Sequence, residues 1–143
     1  MFVQPYFKLV IGLIVVMSAC SPSEKKGDEA SGSQTVILEP LEFKSILEKT
    51  PEAVLVDVRT PEEAAEGVIE GAVNIDFKSP DFTDKIADLD KEKPTFVYCL
   101  SGKRSGDAVK QMEAAGFKHI YTLKDGLRNW KDQGLGTTLP SAE

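Results

Sequence analysis

The sequence predicts an α/β fold built on a mainly parallel sheet, and three observations lead there. From Gln34 onward, short β-branched runs alternate with longer amphipathic stretches, as strands separated by helices do. The segment Ala53–Val58 (AVLVDV) is a near-continuous apolar run broken only by Asp57, which suits an interior strand covered on both faces. Apolar residues make up 41% of the 143-residue chain and charged residues 28%. That balance fits an ordinary folded domain and excludes both a disordered chain and a multi-span membrane protein.

The elements follow in order. Thr35–Leu38 reads as the first strand. Leu41, Ile46 and Leu47, with Phe43 nearby, form the apolar stripe of a helix that stops before Thr50-Pro51, because the residue ahead of a proline is pushed out of the helical region. Ala53–Val58 is the second strand. Thr60-Pro61-Glu62-Glu63 opens a short helix to about Glu66: Thr60 is a cap candidate, Pro61 takes the first helical position, and two acids sit near the positive end of the helix dipole. Ala72–Ile75 is a third strand, Asp81–Leu89 a helix, Thr95–Cys99 (TFVYC) a fourth strand, Arg104–Ala115 a helix, His119–Leu123 a fifth strand and Gly126–Gln133 a closing helix.

Residues 1–19 read as an export signal. Lys8 precedes the apolar run Leu9–Met17, and the small residues Ser18 and Ala19 lead to Cys20. A spanning helix needs about 20 apolar residues, so this shorter run is better suited to cleavage than to permanent anchoring. Met17-Ser18-Ala19-Cys20 resembles a bacterial lipobox, with Met17 where Leu is usual. The resemblance implies a lipidated Cys20 as first residue of the mature protein. It also implies a place in the bacterial cell envelope, anchored to a membrane outside the cytoplasm and facing the periplasm or the cell surface. The other readings are an ordinary signal peptide with an incidental cysteine, or an uncleaved anchor.

Residues 20–33 are small, polar and charged without an apolar period, the composition of a disordered linker with a span of about 20 Å. The folding domain is then 34–143, enough for one core and too little for two. The chain carries a net charge of -6; without residues 1–19 it has 16 bases against 23 acids, or -7. Nucleic acid is therefore not an expected partner. Surface charge decays over about 8 Å at physiological salt, so the acidic surface does not bar a small anion from a locally basic pocket.

The chemistry concentrates where the fourth strand ends. Cys99-Leu100-Ser101-Gly102-Lys103-Arg104-Ser105 leads straight into a helix. A glycine-containing turn onto a helix N-terminus gathers backbone N–H groups toward one point and holds negative charge there. Lys103 and Arg104 add to that field, and the thiolate is the nucleophilic form of cysteine. A strand-terminal cysteine alone is commonly a small buried apolar residue. Two cations at a helix start, however, oppose the helix dipole and so call for a functional reason.

This Cys99-X4-Arg104 loop resembles the active-site loop of the rhodanese family. Two further pieces occur in the family's order: Asp57-Val58-Arg59 with Glu63, Gly67, Gly71-Ala72 and Asn74-Ile75 upstream, and Leu123-Lys124-Asp125-Gly126 with Trp130 downstream. Together they span about Thr35–Gly134. The resemblance implies a rhodanese-like three-layer α/β/α fold with a five-stranded mainly parallel sheet, and a sulfurtransferase of the rhodanese (thiosulfate) type. By that resemblance Cys99 takes the sulfane sulfur of a donor such as thiosulfate, holds it as a persulfide and passes it to a thiol, a protein acceptor or cyanide. Backbone N–H groups of Leu100 through Ser105 would stabilise the persulfide, and Lys103 and Arg104 would attract or orient the anionic donor. Ser105 would cap the next helix or donate its hydroxyl to the loop. Asp57 and Arg59, just past a strand end, face the same sheet edge as Cys99; substrate contact and bracing of neighbouring loops are equally open for them.

Four positions depart from the family pattern. Ala64 stands where an aromatic is common, Val68 where His is common, Glu70 where Pro is common and Asp125 where Gly is common. These changes bear on packing and substrate choice and leave the nucleophile in place. The single histidine, His119, reads as the entrance of a strand, and Trp130, at helical spacing from Leu127, as core. No metal-ligand cluster is visible and no cofactor is expected. If Cys20 is acylated, Cys99 has no partner within the chain for a disulfide.

Two other functions stay open. A non-enzymatic persulfide carrier would hand sulfur to a protein partner without turnover. A phosphatase or arsenate-reductase-like enzyme would use the same fold, but such relatives have one more residue in the loop.

Overall fold

The computed structural model describes residues 32–141. The export signal, Cys20 and most of the linker lie outside the described residues. Strands and helices alternate throughout: β1 (Gln34–Leu38), α1 (Pro40–Glu48), β2 (Val54–Asp57), α2 (Pro61–Ala65), β3 (Val73–Asn74), α3 (Phe82–Ala87), β4 (Thr95–Tyr98), α4 (Lys103–Ala115), β5 (His119–Leu123) and α5 (Gly126–Asp132). The five strands form one sheet in the order β1-β5-β4-β2-β3. Every pairing in it is parallel.

Side chains along a strand alternate between faces, and the sheet is covered accordingly. Val56, Val97 and Ile120 point to the side packed by Phe82 and Ile86 of α3 and by Ala108, Val109 and Met112 of α4. Leu55, Phe96, Tyr98 and Leu123 point to the other, packed by Phe43 of α1 and by Leu127 and Trp130 of α5. Phe43 meets Phe96 edge-on at 5.1 Å between centroids and Trp130 at 6.3 Å, the arrangement that ring quadrupoles favour. Burial is deepest in β4, where all four residues are buried. The edge strand β1 has four exposed residues and one buried, so only interior strands carry the uninterrupted apolar signal.

Most element boundaries differ from the sequence expectation by a residue or two, and one facing differs as well. The third strand shrinks from Ala72–Ile75 to two residues, because β3 is an edge strand paired only with β2. Helix α3 covers Phe82–Ala87 instead of Asp81–Leu89, its end tightening into a turn in which Leu89 N–H donates to Ile86 O. Helix α4 starts one residue early, at Lys103, with Gly102 as its N-cap. Leu41 is 58% exposed. Pro40 and Phe43 take the buried face of α1, with Ile46 and Leu47 packed alongside, which turns Leu41 outward. His119 is the exposed first residue of β5 and Trp130 is buried core.

Candidate active site

Cys99 follows the last residue of β4 and is fully buried. Its Sγ accepts a hydrogen bond from the Gly102 N–H at 3.1 Å. For the loop to fold back this far, Gly102 adopts φ 87°, a left-handed conformation that glycine takes without a Cβ penalty. The helix ladder begins with Gly106 N–H donating to Gly102 O at 3.0 Å. The N–H groups of Lys103, Arg104 and Ser105 therefore open α4 without intrahelical acceptors. Ser105 is buried and donates its hydroxyl to Gly102 O at 3.1 Å, so it ties the loop and leaves the cap position to Gly102. Leu100, Ser101 and Lys103 are exposed on the outside of the loop, and Lys103 has no ion-pair partner among the described residues.

Helix α5 holds the loop from behind. Leu127 N–H donates to Cys99 O at 2.8 Å and Arg128 N–H to Leu100 O at 3.0 Å, so the first turn of α5 takes up the loop's carbonyls. Such close approach needs a bare backbone at Gly126, where a Cβ would lie 2.5 Å from Cys99 O. Asp125 just before it has φ 55°, the only positive value at a non-glycine among the described residues. The sequence marked Asp125-Gly126 only as part of a family pattern; its task of seating the Cys99 loop is visible in the structure alone.

Arg104 does not point freely at a substrate. Its Nη1 and Nη2 hydrogen-bond the two carboxylate oxygens of Glu63 at 2.6 and 2.8 Å. The guanidinium's hydrogen bonds hold the Glu63 carboxyl down at about 2, and the same pairing raises Arg104 further above its ordinary value. Glu63 is itself fixed by a capping box: it accepts from Thr60 N–H at 3.1 Å while its own N–H donates to the Thr60 hydroxyl. The sequence identified Glu63 as a helix-start acid and a pattern residue, and its partnership with Arg104 went unseen.

Asp57 and Arg59 brace loops. Both are buried, and Arg59 Nη2 lies 2.6 Å from Asp57 Oδ2. Arg59 also donates to the carbonyls of Glu63 at 3.0 Å and Gly67 at 2.7 Å, which ties β2 to the α2–β3 connection. Burial alone would lower the Arg59 pKa, but hydrogen bonds and charge from Asp57 outweigh it and the net direction is upward. Tyr98 lies under this pair, 5.9 Å from the Arg59 guanidinium. Its hydroxyl accepts from Ile69 N–H at 3.0 Å, and burial followed by the Asp57 charge pushes its phenol well above the usual range.

The buried residues Ala64 and Val68 line a cleft of about 460 Å³ with Ala72, Val73, Asn74 and Pro140; neither Cys99 nor its loop borders it. Among the described residues no group of three or more His, Cys, Asp or Glu could hold a metal ion, and no helix is long and apolar enough to cross a membrane.

Fold and site together define a class of protein: a parallel α/β domain whose buried cysteine sits in a strand-to-helix cradle. The chain belongs to the rhodanese-like domain family, which matches residues 39–133. It is 37% identical over 91 residues to the putative sulfurtransferase YtwF of Bacillus subtilis, covering 64% of this chain and 85% of that one. It is 35% identical over 86 residues to the thiosulfate sulfurtransferase GlpE of Pseudomonas entomophila, covering 60% and 77%. Among solved structures, the Alr3790 protein from Anabaena superposes with a TM-score of 0.65 at 30% identity, over 72% of this chain and 82% of that one. A rhodanese-like domain protein from Staphylococcus aureus superposes with a TM-score of 0.63 at 28% identity, over 73% and 98%. These relatives support membership of a sulfurtransferase family.

Proposed function

We propose that the chain is a rhodanese-type sulfurtransferase that moves sulfane sulfur from a small anionic donor such as thiosulfate to a thiol, a protein acceptor or cyanide, through a persulfide on Cys99. The observation that carries this is the buried Sγ of Cys99 under a loop whose Gly102 N–H already donates to it at 3.1 Å. Sulfur anions are stabilised by such donors, and the unpaired first amides of α4 supply more of them.

The Cys99 thiolate attacks the outer sulfur of thiosulfate. A Cys99 S–S bond forms, the donor S–S bond breaks, and its electron pair leaves with sulfite. The acceptor thiolate then attacks the outer sulfur of the persulfide, and Cys99 departs as the thiolate. Because Cys99 is fully buried, the donor sulfur reaches it as the exposed residues Leu100, Ser101 and Lys103 give way. The name of the Pseudomonas relative favours thiosulfate as the donor to try first.

Incubation of the mature chain with thiosulfate should add one sulfur, about 32 Da, to the peptide carrying Cys99. Cys99→Ser should abolish the gain. Mass spectrometry that finds no adduct on Cys99 rejects thiosulfate as donor. Adduct formation without steady-state turnover to cyanide would instead favour the persulfide carrier.

We also propose that the domain works in the bacterial cell envelope, held at a membrane by lipidated Cys20 and the 20–33 linker. The support is the Met17–Cys20 sequence behind a short apolar run. Cys20→Ala should release the protein from membranes or block its processing. Unchanged partitioning into the detergent phase would point to an uncleaved anchor.

A further inference from the structure

We propose that Glu63 is a positioning residue that sets which donor charge the Cys99 loop accepts, by holding the Arg104 fork and cancelling its positive charge at the site. This deepens the persulfide reading above and rests on it for its meaning in turnover.

The argument starts from the guanidinium. Arginine binds an oxyanion best through two parallel N–H groups, and in Arg104 both Nη atoms are already given to Glu63 at 2.6 and 2.8 Å. The pair is only partly open to water, with side chains 20% and 31% exposed, so it is screened less than a surface pair. Glu63 is not free to swing away, because the Thr60 capping box fixes it at the third position of α2. Arg104 is the second residue of α4, the helix that opens directly from Gly102, whose N–H donates to Cys99 Sγ at 3.1 Å. Its cation would therefore act on the reacting sulfur if Glu63 did not balance it.

With Arg104 neutralised, the loop keeps Lys103 as its exposed cation, without an ion-pair partner among the described residues. Such a loop draws a dianion such as thiosulfate weakly and takes donors of low charge, for example the monoanion of an organic persulfide, nearly as well. Specificity of this kind comes from a balancing charge as much as from an attracting one.

Glu63→Gln tests this, since glutamine keeps the capping box while it removes the charge and, because its NH2 cannot accept, one arm of the Arg104 fork. Cys99 in the full mature chain is alkylated with iodoacetate and with iodoacetamide, and modification at Cys99 is followed by peptide mass spectrometry. The ratio of the two rates reports the field at the sulfur, because thiol ionisation and loop opening affect both reagents alike. The ratio should rise roughly 3- to 10-fold in the variant at low salt and fall back as salt is added. In the Glu63→Gln, Arg104→Met double variant the rise should vanish. An unchanged ratio in Glu63→Gln overturns the proposal whether or not Cys99 forms a persulfide. In turnover, Glu63→Gln should lower KM for thiosulfate with kcat little changed; an equal loss in kcat and kcat/KM would reveal a merely structural role.

Discussion

The buried pair of Asp57 and Arg59 shows how one residue holds several connections. Arg59 is 3% exposed and donates to Asp57, Glu63 O and Gly67 O, so its removal strips a fully buried carboxylate of its counter-charge. Breaking a buried pair from one side typically costs about 3–5 kcal/mol. Arg59→Ala should therefore lower the unfolding free energy measured by urea denaturation by an amount of that order, with Glu63 and Gly67 losing their donor as well. Lysine at this position should restore little, because one ammonium cannot reach three separate acceptors in the same fork geometry. A variant as stable as the parent would mean that the α2–β3 connection is held by other contacts.

At the scale of elements, the site depends on α5 as much as on α4. The N-terminus of α5 takes the carbonyls of Cys99 and Leu100, which leaves the loop's amide face to the sulfur. Gly126 makes that contact possible at φ 63°, and a methyl there would meet Cys99 O at 2.5 Å. Gly126→Ala adds left-handed strain to this clash and should destabilise the fold by about 2–4 kcal/mol. Persulfide formation should also fall, beyond what the loss of folded protein explains. Thiosulfate labelling of the folded fraction measures that directly; normal labelling would separate α5 from loop geometry. The short helix α2 contributes in a different way, since its capping box presents Glu63 at one fixed place opposite Arg104.

Across the whole molecule, the Glu63–Arg104 pair joins α2 to α4 and makes stability depend on acidity. The Glu63 carboxyl falls from 4.5 to about 2 on folding. A depressed acid contributes its stabilisation above the unfolded value and loses it as pH drops through the folded one. Unfolding free energies of the parent and of Glu63→Gln, measured by urea denaturation, should therefore differ most above about pH 5 and converge toward pH 2, over a range of about 1–2 kcal/mol after solvent screening. The sequence alone determined the order of strands and helices, the interior place of the second strand, and Cys99 at a strand-to-helix loop. These depend on local periodicity and on residues contiguous in the chain, which burial and backbone geometry impress directly on the pattern. Tertiary structure decided that Arg104 is spoken for by Glu63, 41 residues away, that Asp57 and Arg59 brace loops, and that α5 seats the Cys99 carbonyl. Those contacts join segments that meet only when the parallel sheet is assembled, and a hydrogen bond between distant elements leaves no periodic trace in either of them.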